Sequence, residues 1–246
     1  MRIFPNCSHA INEITREVFS RGFRSFDPTV QGKVVEDREG YEMKELLGYS
    51  FLISDTTDRD SMFEFAQKHF IYSEWEPPTL EWAEAWAQER IFGGDANPGE
   101  SWKLRKKYWE QFLGLKSGAF SYTYNNRIQW QIPHVIEKLK HNKYMRGAMI
   151  SVWNPAIDID MMGRERIPCS IAYHLIVRPY SGHDRLWIFY YIRSQDMINH
   201  MPSDIFCATK LQDYIAEQIG VPRGPFVEYV DSLHAYRINV DPKRQW

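Results

Sequence analysis

Apolar residues recur at helical spacing over residues 8–22, where Ile11, Ile14, Val18 and Phe19 share one face. Ser8 is placed as the N-cap and Gly22 as the stop. Residues 23–40 are polar and punctuated by Asp27-Pro28 and Glu39-Gly40, and read mostly as loop. Residues 45–53 form an apolar run broken at Gly48, the pattern of a buried strand. Helical periodicity returns over 60–71 and 79–92, with Pro77-Pro78 between them. A Gly-rich loop at 93–99 precedes a basic, aromatic helix over 102–115. A helix over 133–140 and a strand over 148–153 follow. From Pro168 to Arg178, Ile171, Tyr173, Leu175 and Val177 alternate with Ser170, Ala172 and His174, which predicts a strand. Residues 179–184 turn the chain and 186–192 return as a second strand. A helix over 203–219, ended by Gly220 and Pro222, leads to a last strand over 226–238. No repeat, low-complexity run or linker divides the pattern, so residues 1–246 read as a single domain.

Composition narrows the class. The 246 residues are 43% hydrophobic and 25% charged, ordinary for a globular chain with one large core. A net charge of -2 gives no nucleic-acid footprint, and no apolar run reaches membrane-spanning length. Aromatic content is 15%, with 9 Trp, which suits a large aromatic core or a stacking pocket. Three widely spaced cysteines, Cys7, Cys169 and Cys207, suggest neither a disulfide framework nor a metal site. A cytoplasmic protein is expected, and no metal.

Candidate chemistry collects in the C-terminal half. Cys169 follows a proline at the head of a strand. Arg193-Ser194-Gln195-Asp196 ends the returning strand, Asp204 follows a Pro-Ser at a helix start, and His234-Ala235-Tyr236 ends the last strand. Taken singly, a strand cysteine is more often buried and inert, and a core histidine or a capping aspartate is more often structural. In this order, the set resembles the thymidylate synthase superfamily, and within it the pyrimidine-nucleotide hydroxymethylases, with deoxycytidylate (dCMP) 5-hydroxymethylase nearest. The likeness is clear over the C-terminal half and patchy before it.

The resemblance implies an α+β fold, a mixed sheet covered by helices, and a homodimer packed sheet to sheet. It implies 5,10-methylenetetrahydrofolate as co-substrate and a pyrimidine nucleoside monophosphate as acceptor. Attack of a Cys169 thiolate, steadied by Arg193, on C6 of the ring would make C5 nucleophilic toward a one-carbon electrophile. Arg193 and Ser194 would also bind the phosphate, with Arg38 from the 36–40 loop and Arg146, the single arginine where many members have a pair that crosses the dimer. Asp196 and Trp109 would contact the folate, and His234 and Tyr236 the sugar hydroxyl. Glu84, with Glu81 close behind, takes the place of the family's catalytic glutamate. Tyr122 takes that of its tyrosine, although Thr123 stands where Gly is usual and a buried structural tyrosine fits as well. Asp204 replaces the asparagine of the synthases. A carboxyl group accepts from the cytosine amino group and, when protonated, donates to N3. Ile192 and Leu233 depart from the synthase pattern in the same direction. Hydroxymethylation of dCMP at C5 is therefore the expected reaction. Methylation of dUMP, hydroxymethylation of CMP and non-catalytic nucleotide binding are the rivals.

Overall fold

The computed structural model describes residues 1–27, 40–70 and 75–239, and the backbone of two short strands, β3 (Thr29–Val30) and β4 (Lys33–Val34). The other strands make one mixed sheet: β1 (Arg2–Phe4), β2 (Phe23–Ser25), β5 (Met43–Ile53), β6 (Ala148–Ser151), β7 (Ser170–Tyr180), β8 (His183–Asp196) and β9 (Arg223–Tyr236). Their order is β1-β5-β9-β8-β7-β6, with β2 also on β5. The pairs β8–β9 and β1–β5 are parallel and the rest antiparallel. The α+β expectation holds.

Helices cover one face. The α1 helix (Cys7–Arg21) buries Ala10, Ile11, Ile14 and Val18, as its spacing predicts. The α8 helix (Met201–Ile219) is buried for most of its length. It lies on the sheet and is itself covered by α2 (Ser61–His69), α3 (Leu80–Phe92) and α6 (Ile132–His141). The buried Gln212 Nε2 donates to Leu186 O at 2.7 Å and to Gly224 O at 3.1 Å, tying α8 to the starts of β8 and β9. Gly220 ends α8 with φ +69°, a left-handed conformation that glycine adopts without a Cβ penalty.

The structure differs from the sequence pattern in three places that matter for the site. Residues 102–115 are not one helix. They break into a 3₁₀ turn (Ser101–Arg105), one turn α4 (Lys106–Trp109) and another 3₁₀ turn (Glu110–Phe112). Burial of Arg105 explains the break: its guanidinium turns inward to donate to Glu76 O (3.0 Å) and the Asn199 side chain. The β8 strand runs on past Ile192, the expected end of its regular pattern, to Asp196, so Arg193, Ser194 and Asp196 stand on the strand itself. A bulge lies in β7 between Ser170 and Ala172, directly after Cys169. It adds one residue opposite β8 and lets Ser170 and Tyr173 both face the core.

Candidate active site

A cleft of about 220 Å³ opens where the covering helices leave the C-terminal ends of β8 and β9 exposed. The parallel register pairs Ser194 with Ser232 and Asp196 with His234. Side chains two apart share a face, so Ser194, Asp196, His234 and Tyr236 stand together there. Farther down the same rows, Ile188, Tyr190, Phe226 and Val230 carry the core. Apart from the buried Glu228 in β9, the change from apolar to polar along these rows marks where the core ends and the cleft begins.

Cys169 reaches this cleft from the start of β7. Arg193 Nη2 stands 4.0 Å from its Sγ, while Arg193 Nε donates to Pro168 O at 3.0 Å. The guanidinium is thus pinned beside the thiol by the backbone that carries it. After β8, Asp196 Oδ1 accepts from the N–H groups of Ile198 (3.1 Å) and Asn199 (3.0 Å), turning the chain into α8. Burial raises the Asp196 carboxyl above its ordinary range, and His234 and those two backbone donors work against it. Burial also holds the His234 imidazole below its usual value.

Asp204, in the first turn of α8, is 5% exposed and lines the cleft. Its Oδ1 accepts from Arg90 Nη2 at 3.0 Å and its Oδ2 from Gln195 Nε2 at 3.4 Å. Burial raises this carboxyl, and the guanidinium opposes the shift. Arg90 is itself sandwiched, 3.7 Å from the Trp86 ring and 3.8 Å from that of Tyr124, so it is fixed behind Asp204 by stacking.

The α3 helix corrects the glutamate assignment. Its inward side carries Trp82, Ala83, Trp86, Ala87 and Arg90, and Glu84 lies between Trp82 and Trp86 on the opposite face. Glu84 and Glu81 are solvent-exposed and neither lines the cleft. Among the described residues, the carboxylates that do line it are Asp27, Glu165, Asp196 and Asp204. Tyr122 and Trp109 do reach the cleft, both buried. Arg146 is exposed outside the cleft, and Arg38 lies outside the described residues.

Several cleft residues carried no signal in the linear pattern. Arg166, 8% exposed, stacks over Tyr122 (4.3 Å) and Trp109 (4.9 Å). Burial pushes the Tyr122 phenol up, and Arg166 pulls it back. His200 shares a 2.7 Å hydrogen bond with the Tyr108 hydroxyl. Burial and the surrounding guanidiniums of Arg105, Arg166 and Arg90 hold its imidazole well below the usual value, hence neutral at pH 7. An arginine in the irregular segment before β7 and a histidine just before α8 look like ordinary surface residues until the fold shows what surrounds them.

Trp75, Trp86, Tyr108, Trp109 and Phe112 give the cleft an aromatic wall whose rings meet largely edge to face. It suits a planar heterocycle, with Asp196 as an acceptor nearby. Among the described residues, no group of three or more His, Cys, Asp or Glu side chains is arranged to hold a metal ion, and no helix is long and apolar enough to cross a membrane.

A family model described as thymidylate synthase matches residues 35–245. The chain belongs to the thymidylate synthase family. Curated relatives that carry the family's name include a Methanocaldococcus jannaschii protein, 30% identical over 145 residues, and a Methanococcoides burtonii protein, 26% identical over 212 residues. The first match covers 54% of this chain and 64% of that protein, and the second 83% and 79%. The chain therefore spans just under two thirds of the Methanocaldococcus relative. The solved structure of thymidylate synthase A from Bacillus subtilis superposes with a TM-score of 0.66 at 17% identity, covering 92% of this chain and 78% of the other. At that identity the likeness shows the fold, which is the thymidylate synthase fold expected from the ordered motifs.

Proposed function

We propose that this member of the thymidylate synthase family transfers a one-carbon unit from 5,10-methylenetetrahydrofolate to C5 of dCMP and hydrates it to the hydroxymethyl nucleotide. The observation that carries this reading is Asp204. A carboxylate held by Arg90 at 3.0 Å on the cleft wall accepts from the C4 amino group of cytosine and has nothing to donate to O4 of uracil. Cys169 attacks C6, with the Arg193 guanidinium beside Sγ to stabilise the thiolate. Arg193 and Ser194 face the phosphate, and His234 and Tyr236 the sugar. The methylene donor supplies the carbon when bound against the aromatic wall, with Trp109 and Asp196 in contact with it. With no glutamate from α3 in the cleft, proton movement at the base falls to Tyr122 and to the buried carboxylates.

Pairing of two copies through the uncovered sheet face belongs to the same reading. Tyr191 and Tyr229 stack there at 5.1 Å, Trp187 and Phe189 at 6.3 Å, and Met149 is 46% exposed beside them. That aromatic surface fits a second copy of itself. Sedimentation at a single-chain mass would remove this part of the reading.

Methylation of dUMP is the second reading, favoured by the family name that the curated relatives carry. Incubation with methylenetetrahydrofolate and either nucleotide, followed by mass spectrometry, separates the two. The expected product is a hydroxymethyl adduct of dCMP without dihydrofolate absorbance. Methylated dUMP with stoichiometric dihydrofolate would overturn the hydroxymethylase reading, and absence of any C5 product would favour a nucleotide-binding protein without catalysis.

A further inference from the structure

Behind the cleft wall lies a second, smaller chamber of about 30 Å³, bounded by α3, the 101–109 turns and residues 120–125. Five buried polar atoms on residues lining it have no protein partner: Arg90 Nε, Arg166 Nη1, Trp102 Nε1, Trp109 Nε1 and Thr123 Oγ1. Arg90, Arg166, Trp109 and Thr123 are each more than nine-tenths buried. Buried donors of this kind almost always have a partner, and so many around one small space point to a common occupant. Trp86, Trp109, Tyr122, Tyr124 and Arg166 line both chamber and cleft, so the wall between them is one side chain thick.

The donor set and the volume identify the occupant. At roughly 15 Å³ per molecule, 30 Å³ holds about two waters. A small anion would meet the donors equally well, but Asp204 already neutralises Arg90. The Glu89 carboxylate, which accepts from Ser101 N at 2.7 Å, also stands in the chamber wall. Glu89 and the Thr123 hydroxyl give a water the acceptors it needs, and Glu89 repels an anion.

Resting on the one-carbon reading above, we propose that this chamber holds the water consumed in the reaction and supplies it past Tyr122 and Arg166 to the cleft. In that step the nucleotide is bonded through C6 to Cys169 Sγ and carries an exocyclic methylene at C5. The water oxygen forms a bond to the methylene carbon, and the electron pair of the C5–methylene double bond moves toward the C4 substituent. It returns to make the C5–C6 double bond as the C6–S bond breaks and Cys169 leaves as thiolate. The second water proton passes to solvent, and no oxidant or reductant is needed.

An exocyclic methylene is equally open to an added thiol, which competes with water. The test uses Thr123→Val, which removes the hydroxyl at constant shape, and Trp102→Phe, which removes the indole N–H from a different segment. Each is incubated with dCMP, methylenetetrahydrofolate and 2-mercaptoethanol, and the ratio of hydroxymethyl to thioether product is read by mass spectrometry. Loss of one hydrogen bond to the water should move that ratio toward the thioether by about three- to tenfold. Exchange of the C5 hydrogen, which precedes water capture, should stay unchanged. A parent that makes hydroxymethyl nucleotide while both variants keep its ratio would overturn the chamber alone, and should one variant not fold, the other decides by the same ratio. A parent that makes no C5 adduct overturns the one-carbon reading and the chamber with it.

Discussion

Replacing Asp204 by asparagine tests base choice with the least disturbance of shape. Arg90 Nη2, 3.0 Å from Oδ1, is held from behind by Trp86 and Tyr124, so it keeps its place and takes the new amide oxygen as acceptor. That choice turns the amide NH2 to the Oδ2 side, where Gln195 Nε2 now donates at 3.4 Å. Two donors would then face each other, but Gln195 Oε1 is buried without a partner. Rotation of the Gln195 amide puts that oxygen opposite the new NH2 and removes the conflict. The remaining amide hydrogen is left for the cleft, where it serves O4 of uracil and opposes the amino group of cytosine.

Two magnitudes follow. Asparagine removes the countercharge of the buried Arg90 guanidinium, and breaking a buried pair outright costs about 3–5 kcal/mol. The hydrogen bond that Arg90 still donates to the amide oxygen offsets about 1.5–3 of that, leaving a loss of roughly 1–2 kcal/mol of stability. In a chain of this size that is a fall in Tm of about 2–8 °C. Alanine, which leaves Arg90 buried and unpaired, should cost about 3–5 kcal/mol. In the cleft, a mismatched buried hydrogen bond is worth about 1–3 kcal/mol, so kcat/KM on dCMP should fall and that on dUMP rise by about 5- to 150-fold each. Paired assays with the two nucleotides under saturating methylene donor give the ratio directly. A ratio that does not move, in a folded variant, would mean that Asp204 supports α8 and Arg90 without reading the base. A parallel loss of both activities would indicate general damage.

Three further outcomes are expected. Cys169→Ala should abolish exchange of the C5 hydrogen while nucleotide binding persists. Cys207, whose thiol burial pushes up to about 12, should leave turnover intact when changed to alanine; retained exchange in the Cys169 variant would remove that residue from the mechanism. Glu84→Gln should leave kcat/KM within about twofold, as surface changes generally do; a loss of a hundredfold or more would show that α3 presents this side chain to the substrate after all. Glu228 stands in β9 between Phe51 and Tyr190 with neither oxygen partnered, and burial raises its carboxyl well above the usual range. The folded state therefore binds this proton more tightly than the unfolded one, and the contribution to stability is lost as pH rises from about 4.5 through the folded value. In urea melts, Glu228→Gln should gain on the parent at pH 8 and match it near pH 4; equal stabilities at both would refute the shift.

How much of this was legible in the chain depended on what each signal measures. Helix α1 and strands β7 to β9 were readable because a buried face imposes period 3.6 or period 2 on the residues that line it. The cleft residues at the strand ends were readable because Arg193 to Asp196 and His234 to Tyr236 keep a fixed order and spacing. Their meeting required only that β8 and β9 run parallel and in register. The glutamate was misplaced for a physical reason. A helix with aromatic, acidic and basic residues all round gives little phase information, and Trp86 and Arg90, not Glu84, turn out to face inward.

Arg90 shows why the rest could not be read. Its role is set by three contacts, Asp204 across 114 positions of sequence, Tyr173 across 83, and the stacked ring of Tyr124. None of these leaves a local pattern, since a buried guanidinium is tolerated only after its partners are in place. The same coupling bears on specificity. An aspartate on the base edge is affordable here because α3 delivers a fixed cation behind it, so the choice between carboxylate and amide at position 204 cannot change independently of Arg90. A chain that lost Arg90 while keeping Asp204 would bury an uncompensated carboxylate, which would take up a proton and become a donor toward the base. Base choice in this cleft is therefore a property of the Arg90–Asp204 pair, and its residues lie on two helices that meet only in the folded protein.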